Sequence, residues 1–415
     1  MQGLLIAGIV TVCPAVALGQ EPVEIHGFGE AAVASRFLAD PVISDDFVLA
    51  EARFRLDISH YTDLAELSFK GDLVADDVLD DVVIDIRQAV ITLHASSWLD
   101  LRAGRQVLTW GTGDLLFLND LFPKDFVSFF IGRDEEFLKA PSNAVKFSLY
   151  PKPVSLDLVW TPVFTSDRYI TGVRLSYFDP SLPGLVSAES MGEPLTAAEP
   201  AKTLQNGEFA GRLYRTFGGY ELALYGYVGF TKRPLAYDPV LDTPTFSRLG
   251  AYGASARGTA AGGILNLEGS YYDSRDDRAG TDPNVPNSQI RGLLGYEHEL
   301  FANFMLGLQY FLQWTLAYEE LIANSPYPQF EPDELHHTFT LRTTYRFRQE
   351  TMTLSLFAFY SPSDADTHLR PSFSYAWSDA VRLDFGANIM AGSESGFFGQ
   401  LEENSNIYGR LRYSF

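Results

Sequence analysis

The sequence predicts an all-β protein: a transmembrane antiparallel β-barrel of about eighteen strands, with sixteen as the nearest alternative. Three observations predict it. Apolar and polar residues alternate with period 2 in segment after segment of roughly ten residues, the length of a tilted membrane strand. Aromatic residues make up 14% of the chain while hydrophobic residues total only 46%, the balance expected where every second residue meets lipid. Short turns alternate with long polar connections, as when tight turns lie on one side of a membrane and loops on the other.

The N-terminus reads MQGLLIAGIVTVCPAVALGQ. Leu4 to Leu18 form a short apolar run, and Ala17-Leu18-Gly19 is a small-x-small cleavage site before Gln20. This is the pattern of a secretory signal peptide over residues 1–19. It leaves 20–415 as a single barrel domain with no linker and no helical repeat. No Lys or Arg precedes the run, which leaves room for a start further upstream. The only cysteine, Cys13, lies in this segment and follows Val10-Thr11-Val12 rather than the small residues of a lipid-anchored cysteine. A mature chain without cysteine has no disulfide, thiolate metal site or attached c-type haem. The net charge of −22 argues against nucleic acid as a partner, since phosphates attract basic surfaces.

From Val23 onward the strands follow. In VLAEARFRLDIS, Val48, Ala50, Ala52, Phe54, Leu56 and Ile58 face one way, and Glu51, Arg53, Arg55, Asp57 and Ser59 the other. ANFMLGLQYFLQW, HTFTLRTTYRF and VRLDFGANI repeat the pattern. A soluble sandwich also alternates. Here Arg, Asp and Glu stand in mid-strand opposite the apolar residues, as beside a water-filled lumen. Short turns are expected near His60-Tyr61, Ser96-Ser97, Pro151-Lys152-Pro153, Gly218-Gly219, Ala261-Gly262, Glu299-Leu300, Arg348-Gln349 and Ser378-Asp379.

The chain closes with NSNIYGRLRYSF. Ile407, Gly409, Leu411, Tyr413 and Phe415 alternate with polar residues up to the last position. This stretch resembles the C-terminal signal of bacterial outer-membrane β-barrel proteins, a terminal Phe preceded at alternate positions by aromatic or aliphatic residues; Leu411, Tyr413 and Phe415 match it, and Gly409 is its weak position. The resemblance implies an even strand number, assembly by the barrel-assembly machinery, and an outer membrane with its lipid and lipopolysaccharide as surroundings. It also admits a homo-oligomer.

Three features carry chemistry. The connection from Trp110 to Pro141 mixes phenylalanines with acids: Asp114, Phe117, Asp120, Phe122, Asp125 and Glu135 among them. So many phenylalanines do not suit a loop standing in solvent, so it is expected to fold back. By position, after the fifth strand, it resembles the inward-folded constriction loop of general porins. Strand parity points Arg342, Arg346, Arg370, Arg382, Arg410 and Arg412 inward, and ring closure adds His26, Arg53 and Arg55. A basic strip facing an acidic loop sets a field across a pore and favours small polar or anionic solutes; pairing with Asp57, Asp384 and Glu24 is the structural alternative. DLVADDVLDD clusters Asp72, Asp76, Asp77, Asp80 and Asp81. It lacks the D-x-D-x-D-G order of an oxygen-ligand site and reads as an acidic surface loop, so no metal is assigned.

No G-x-S-x-G, H-E-x-x-H, P-loop or dinucleotide signature is present, and the seven histidines are scattered. The sequence therefore points to a porin-like outer-membrane channel with no cofactor and no catalytic residue. The alternatives are a channel for a specific hydrophobic or organic-acid substrate, a barrel enzyme, or a closed structural barrel.

Overall fold

The computed structural model describes residues 22–182 and 184–415; the expected signal peptide lies outside them. Eighteen strands form one sheet. They are β1 Glu24–Arg36, β2 Phe47–Tyr61, β3 Ala65–Asp76, β4 Asp81–Ser96, β5 Leu99–Val107, β6 Pro141–Leu149, β7 Ser155–Thr161, β8 Glu208–Phe217, β9 Tyr220–Phe230, β10 Arg248–Ala260, β11 Gly263–Ser274, β12 Gln289–Phe301, β13 Phe304–Thr315, β14 Leu335–Phe347, β15 Met352–Ser361, β16 Asp366–Ala376, β17 Val381–Ala391 and β18 Asn406–Ser414. Each strand pairs antiparallel with its neighbours in the chain, and β1 also pairs with β18, so the sheet is a closed barrel.

The period-2 pattern sets the two faces of this wall. Phe54, Leu308 and Leu411 stand outward and half exposed. Arg53, Arg55 and Asp72 on the inner face are 5%, 4% and 1% exposed, although they carry charge, because chain inside the barrel covers them. A closed wall with an apolar outer face suits a bilayer, where every backbone group needs a partner within the protein. Leu308 lies in the middle of β13. We expect Leu308→Arg to destabilise the barrel by about 2–4 kcal/mol, read as a lower urea midpoint after refolding into lipid vesicles. Arg346→Leu on β14, which faces inward and has no ion-pair partner among the described residues, should leave the midpoint nearly unchanged.

The seam of the ring is the ladder between β1 and β18, from Phe28 opposite Ser414 to Arg36 opposite Asn406, and Phe415 extends it. Phe415 N–H donates to Gly27 C=O and Gly27 N–H donates to Phe415 C=O, both at 3.0 Å. The Phe415 ring lies 5.8 Å from that of Phe54, nearly parallel to it. Gly27 is required here: a Cβ would stand 2.7 Å from the Phe415 ring and 2.3 Å from the Arg55 carbonyl.

At one end the strands are joined by turns of two to five residues, and at the other by connections such as 37–46, 108–140, 162–207 and 316–334. Two expected turns move. His60 and Tyr61 remain in β2, and the chain reverses at 62–64. Glu299 and Leu300 remain in β12, which runs through an irregularity at Glu299/Phe301 to a turn at 302–303. The acidic stretch after Asp72 is not a surface loop: Asp72 and Asp76 belong to β3, Asp81 opens β4, and only 77–80 is a turn. The main apolar core sits inside the barrel, where Phe129, Phe130 and Leu138 of the 108–140 connection pack with Val48, Phe359 and Phe398.

Candidate functional site

The 108–140 connection leaves the wall after β5 and runs through the lumen. A short helix, Phe126–Phe130, is capped by Asp125, whose side chain accepts the Ser128 N–H, and a 3₁₀ turn, Glu135–Leu138, is capped by Asp134. The segment is fastened to strands well apart in the barrel. Thr112 N–H donates to Glu268 on β11 at 2.6 Å. The Gln309 amide of β13 clasps the Asp114 backbone from both sides at 2.8 Å. Asn406 of β18 donates to Phe130 C=O at 2.9 Å. Arg87 of β4 donates to the carbonyls of Glu136 and Lys139 at 3.0 and 2.8 Å. Every one of these is a polar side chain satisfying backbone that has no strand neighbour, which is what buried irregular chain demands.

The acids of this segment meet the arginine wall. Arg342 on β14 holds Asp114 at 2.9 Å and Glu135 at 3.0 Å, and Arg370 on β16 stands 3.7 Å from Glu135. Arg410 on β18 stands 3.5 Å from Asp134 and 3.6 Å from Asp384. Arg412 bonds Glu30 of β1 at 2.7 Å and stands 3.8 Å from Asp134. Arg55 on β2 reaches Glu136 at 2.8 Å, while gripping Asp72 through two bonds of 2.6 and 2.7 Å. Arg53 shares Asp72 at 2.7 Å and takes Glu51 at 2.9 Å. Aromatic rings back the row. Arg412 lies 4.0 Å over Phe28, Arg370 4.2 Å over Phe129, Arg53 4.2 Å over Phe137 and Arg342 4.5 Å over Phe357. Such stacking fixes the guanidinium planes.

The expected site residues thus divide. Asp114 and Glu135 lie against the arginines. Asp120 and Phe122 are 4% and 5% exposed; Asp120 binds Lys124 at 3.0 Å, and Phe122 packs edge-on against Trp110. Asp125 is a helix cap that also binds Arg168 at 3.2 Å. Phe117 lies under Lys124 at 4.6 Å. These four hold the segment in shape rather than face an open passage. Of the expected structural partners, Asp384 does pair with the row, at 2.9 Å from Arg382, whereas Asp57 pairs with Lys70 instead. Arg346 is exposed and has no ion-pair partner among the described residues. Sequence parity missed Arg87, Asp134 and Glu136. Asp134 and Glu136 lay in the expected loop, but nothing in the spacing singles them out from their acidic neighbours. Arg87 is the residue of β4 left out of the ladder where the register shifts between Lys70 and Gly71 of β3, which upsets a simple alternation.

A second connection buttresses the first. Asp167, in 162–207, accepts the Lys124 N–H at 2.7 Å. Burial pushes its carboxyl up to about 6, against the pull of Lys124 and Lys232. A carboxyl raised above its unfolded value stabilises the fold below the unfolded range and loses that contribution as pH climbs through the folded value. Stability should therefore fall between about pH 4 and 6 by on the order of 2–3 kcal/mol from this group. Asp167→Asn should remove that slope from the urea midpoint measured against pH.

Comparison with known proteins bears on the fold. No protein-family model matches the chain, and no curated protein matches it. Solved structures do. OccAB4 of Acinetobacter baumannii aligns with a TM-score of 0.56 at 11% identity, covering 95% of this chain and 99% of that one. OccK2 (OpdF) of Pseudomonas aeruginosa, solved in complex with glucuronate, gives 0.54 at 11% identity, covering 95% and 97%. OprD of the same organism gives 0.54 at 10%, covering 95% and 94%. The fold is that of bacterial outer-membrane channels. At these identities the likeness extends to the porin-type barrel, and the chemistry of the lumen has to be read from this chain's own residues.

Proposed function

We propose that this protein is a passive outer-membrane channel for small solutes, and that it favours those bearing a carboxylate. The observation that carries the reading is the row of arginines on one side of the lumen, from Arg342 through Arg370 and Arg410 to Arg55, set against the acids of the inward segment. Opposed rows of charge across a narrow passage order water and orient a polar solute. Arg346 and Arg382 stand at the ends of the row with exposed side chains, and Arg346, with no ion-pair partner among the described residues, can meet an anion without first breaking a pair. A bidentate guanidinium fits a carboxylate better than a halide. The glucuronate seen with OccK2 is a solute of this class. A hydrophobic substrate loses its support, because Phe122, Phe129, Phe130 and Phe137 are all buried in packing. On this reading the Gly27–Phe415 seam is also where the assembly machinery's signal is used, and lipopolysaccharide surrounds the outer wall.

Uptake of glucuronate and of glucose into proteoliposomes tests the preference. Glucuronate should enter faster, and Arg346→Gln with Arg382→Gln should bring the ratio toward that of a neutral pore. A ratio that the double substitution leaves untouched would remove the arginines from the selectivity.

A further inference from the structure

A cavity of about 250 Å³ opens on the lumen side of β12–β14 and is lined by Asp114, Asn266, Glu297, Gln309, Thr340, Thr344, Arg342 and Arg346 among others. Its shape follows from register. Glu297 on β12 stands opposite Gly307 on β13, which stands opposite Arg342 on β14. Gly307 puts no side chain between an inward carboxylate and an inward guanidinium, and a Cβ there would meet nothing closer than 3.8 Å. One step toward the loop end, Asn266 on β11 faces Gly295 on β12, and Gly295 faces Gln309. Two glycines thus hollow the wall between polar residues.

The charges in this hollow are unequal in their commitments. Arg342 is occupied by Asp114 and Glu135. Arg346 and Glu297 have no hydrogen-bond or ion-pair partner for their side chains among the described residues. The Asn266 side chain is 8% exposed, and its Oδ1 has no partner, a situation that buried amides rarely tolerate unless something else supplies the donor. Strand spacings put the Glu297 and Arg346 Cα atoms roughly 16 Å apart, two strands across and about four residues along. Both residues line the same cavity, and that separation leaves room for a small molecule between them.

We propose that this hollow is a subsite for small zwitterions, α-amino acids in particular. Arg346 takes the carboxylate and Glu297 takes the ammonium group, with the Asn266 Oδ1 as a further acceptor on the Glu297 side; Gln309 stays bound to the Asp114 backbone and to Thr340. Glu297 does not suit a wall built for anions alone, since it repels them. Opposite a free arginine it discriminates between an acid with an adjacent ammonium and one without. The inference rests on the channel reading above and deepens it by naming a substrate class.

L-alanine and L-lactate share one carbon skeleton and differ by an ammonium in place of a hydroxyl. Radiolabelled uptake of each into proteoliposomes held at zero potential therefore isolates the contact. The wild type should pass alanine in preference to lactate. Glu297→Gln should lower the alanine-to-lactate ratio by roughly fivefold, the effect of one lost charge-assisted bond. Arg346→Gln should slow both solutes and leave the ratio nearer the wild-type value. A ratio unchanged in Glu297→Gln, with both solutes still entering, overturns the subsite while the channel stands. A wild type that admits neither solute, nor glucuronate, overturns the channel and the subsite together.

Discussion

Asp72→Ala should be the most damaging single substitution in the wall, costing about 3–5 kcal/mol, the usual effect of removing one member of a buried charge cluster. Asp72 is 1% exposed and lies between two arginines of the neighbouring strand, held by Arg53 at 2.7 Å and by Arg55 at 2.6 and 2.7 Å. Its removal leaves Arg55 with Glu136 alone and Arg53 with Glu51 alone. The cost should appear as a lower urea midpoint and a smaller fraction of barrel that keeps its folded mobility on unheated gels. The explanation in terms of stranded charge can be separated from simple loss of packing. Replacing Arg53, Asp72 and Arg55 together by Leu, Ala and Leu should restore part of the stability, because no unpaired charge then remains. If the triple variant is worse than the single one by the sum of its parts, the three residues act independently and the cluster has been misread.

The largest expected change in permeation comes from the inward segment. Asp114→Asn with Glu135→Gln removes both carboxylates from Arg342 and one from Arg370 without cutting the backbone contacts from Gln309. Two negative charges leave the lumen, and Arg342 turns to solvent. With about 1 kcal/mol per charge at contact distance in water, the anion-to-cation permeability ratio should rise by roughly fivefold or more. Reversal potentials under a salt gradient read it directly. The change should shrink as salt rises, since screening acts over about 8–10 Å at ordinary ionic strength. A pair of substitutions that leaves the ratio fixed would mean that these acids do not face the permeant path.

The wall was legible in the sequence for a physical reason. Side chains on a strand alternate strictly, so Phe54 outward and Arg55 inward follow from spacing alone, and the same rule placed Arg342, Arg410 and Arg412. The lumen was less legible. Which acid meets which arginine depends on how 108–140 crosses the barrel, and that path is set by contacts nearly 200 or more residues apart, such as Asp114 with Gln309 and Phe130 with Asn406. Composition showed that this segment must fold back, but not that Asp120 and Asp125 would be spent on Lys124 and a helix cap. The acidic DLVADDVLDD stretch misled for a related reason. Its carboxylates look surplus until Arg53, Arg55, Arg133 and Arg174 are brought to them by the fold. Strand ends were uncertain where the ladder is irregular, as at Glu299/Phe301.

Conductance of the purified protein in a planar bilayer decides whether the barrel is an open channel. Discrete steps of open current are expected. Under a salt gradient at neutral pH the reversal potential should be near neutral or modestly anion-selective, because the arginines of the row are largely matched by carboxylates and, among the described residues, the unpaired Arg346 is offset by the unpaired Glu297. A silent bilayer, or a strongly cation-selective current following the chain's overall charge of −22, would contradict these expectations.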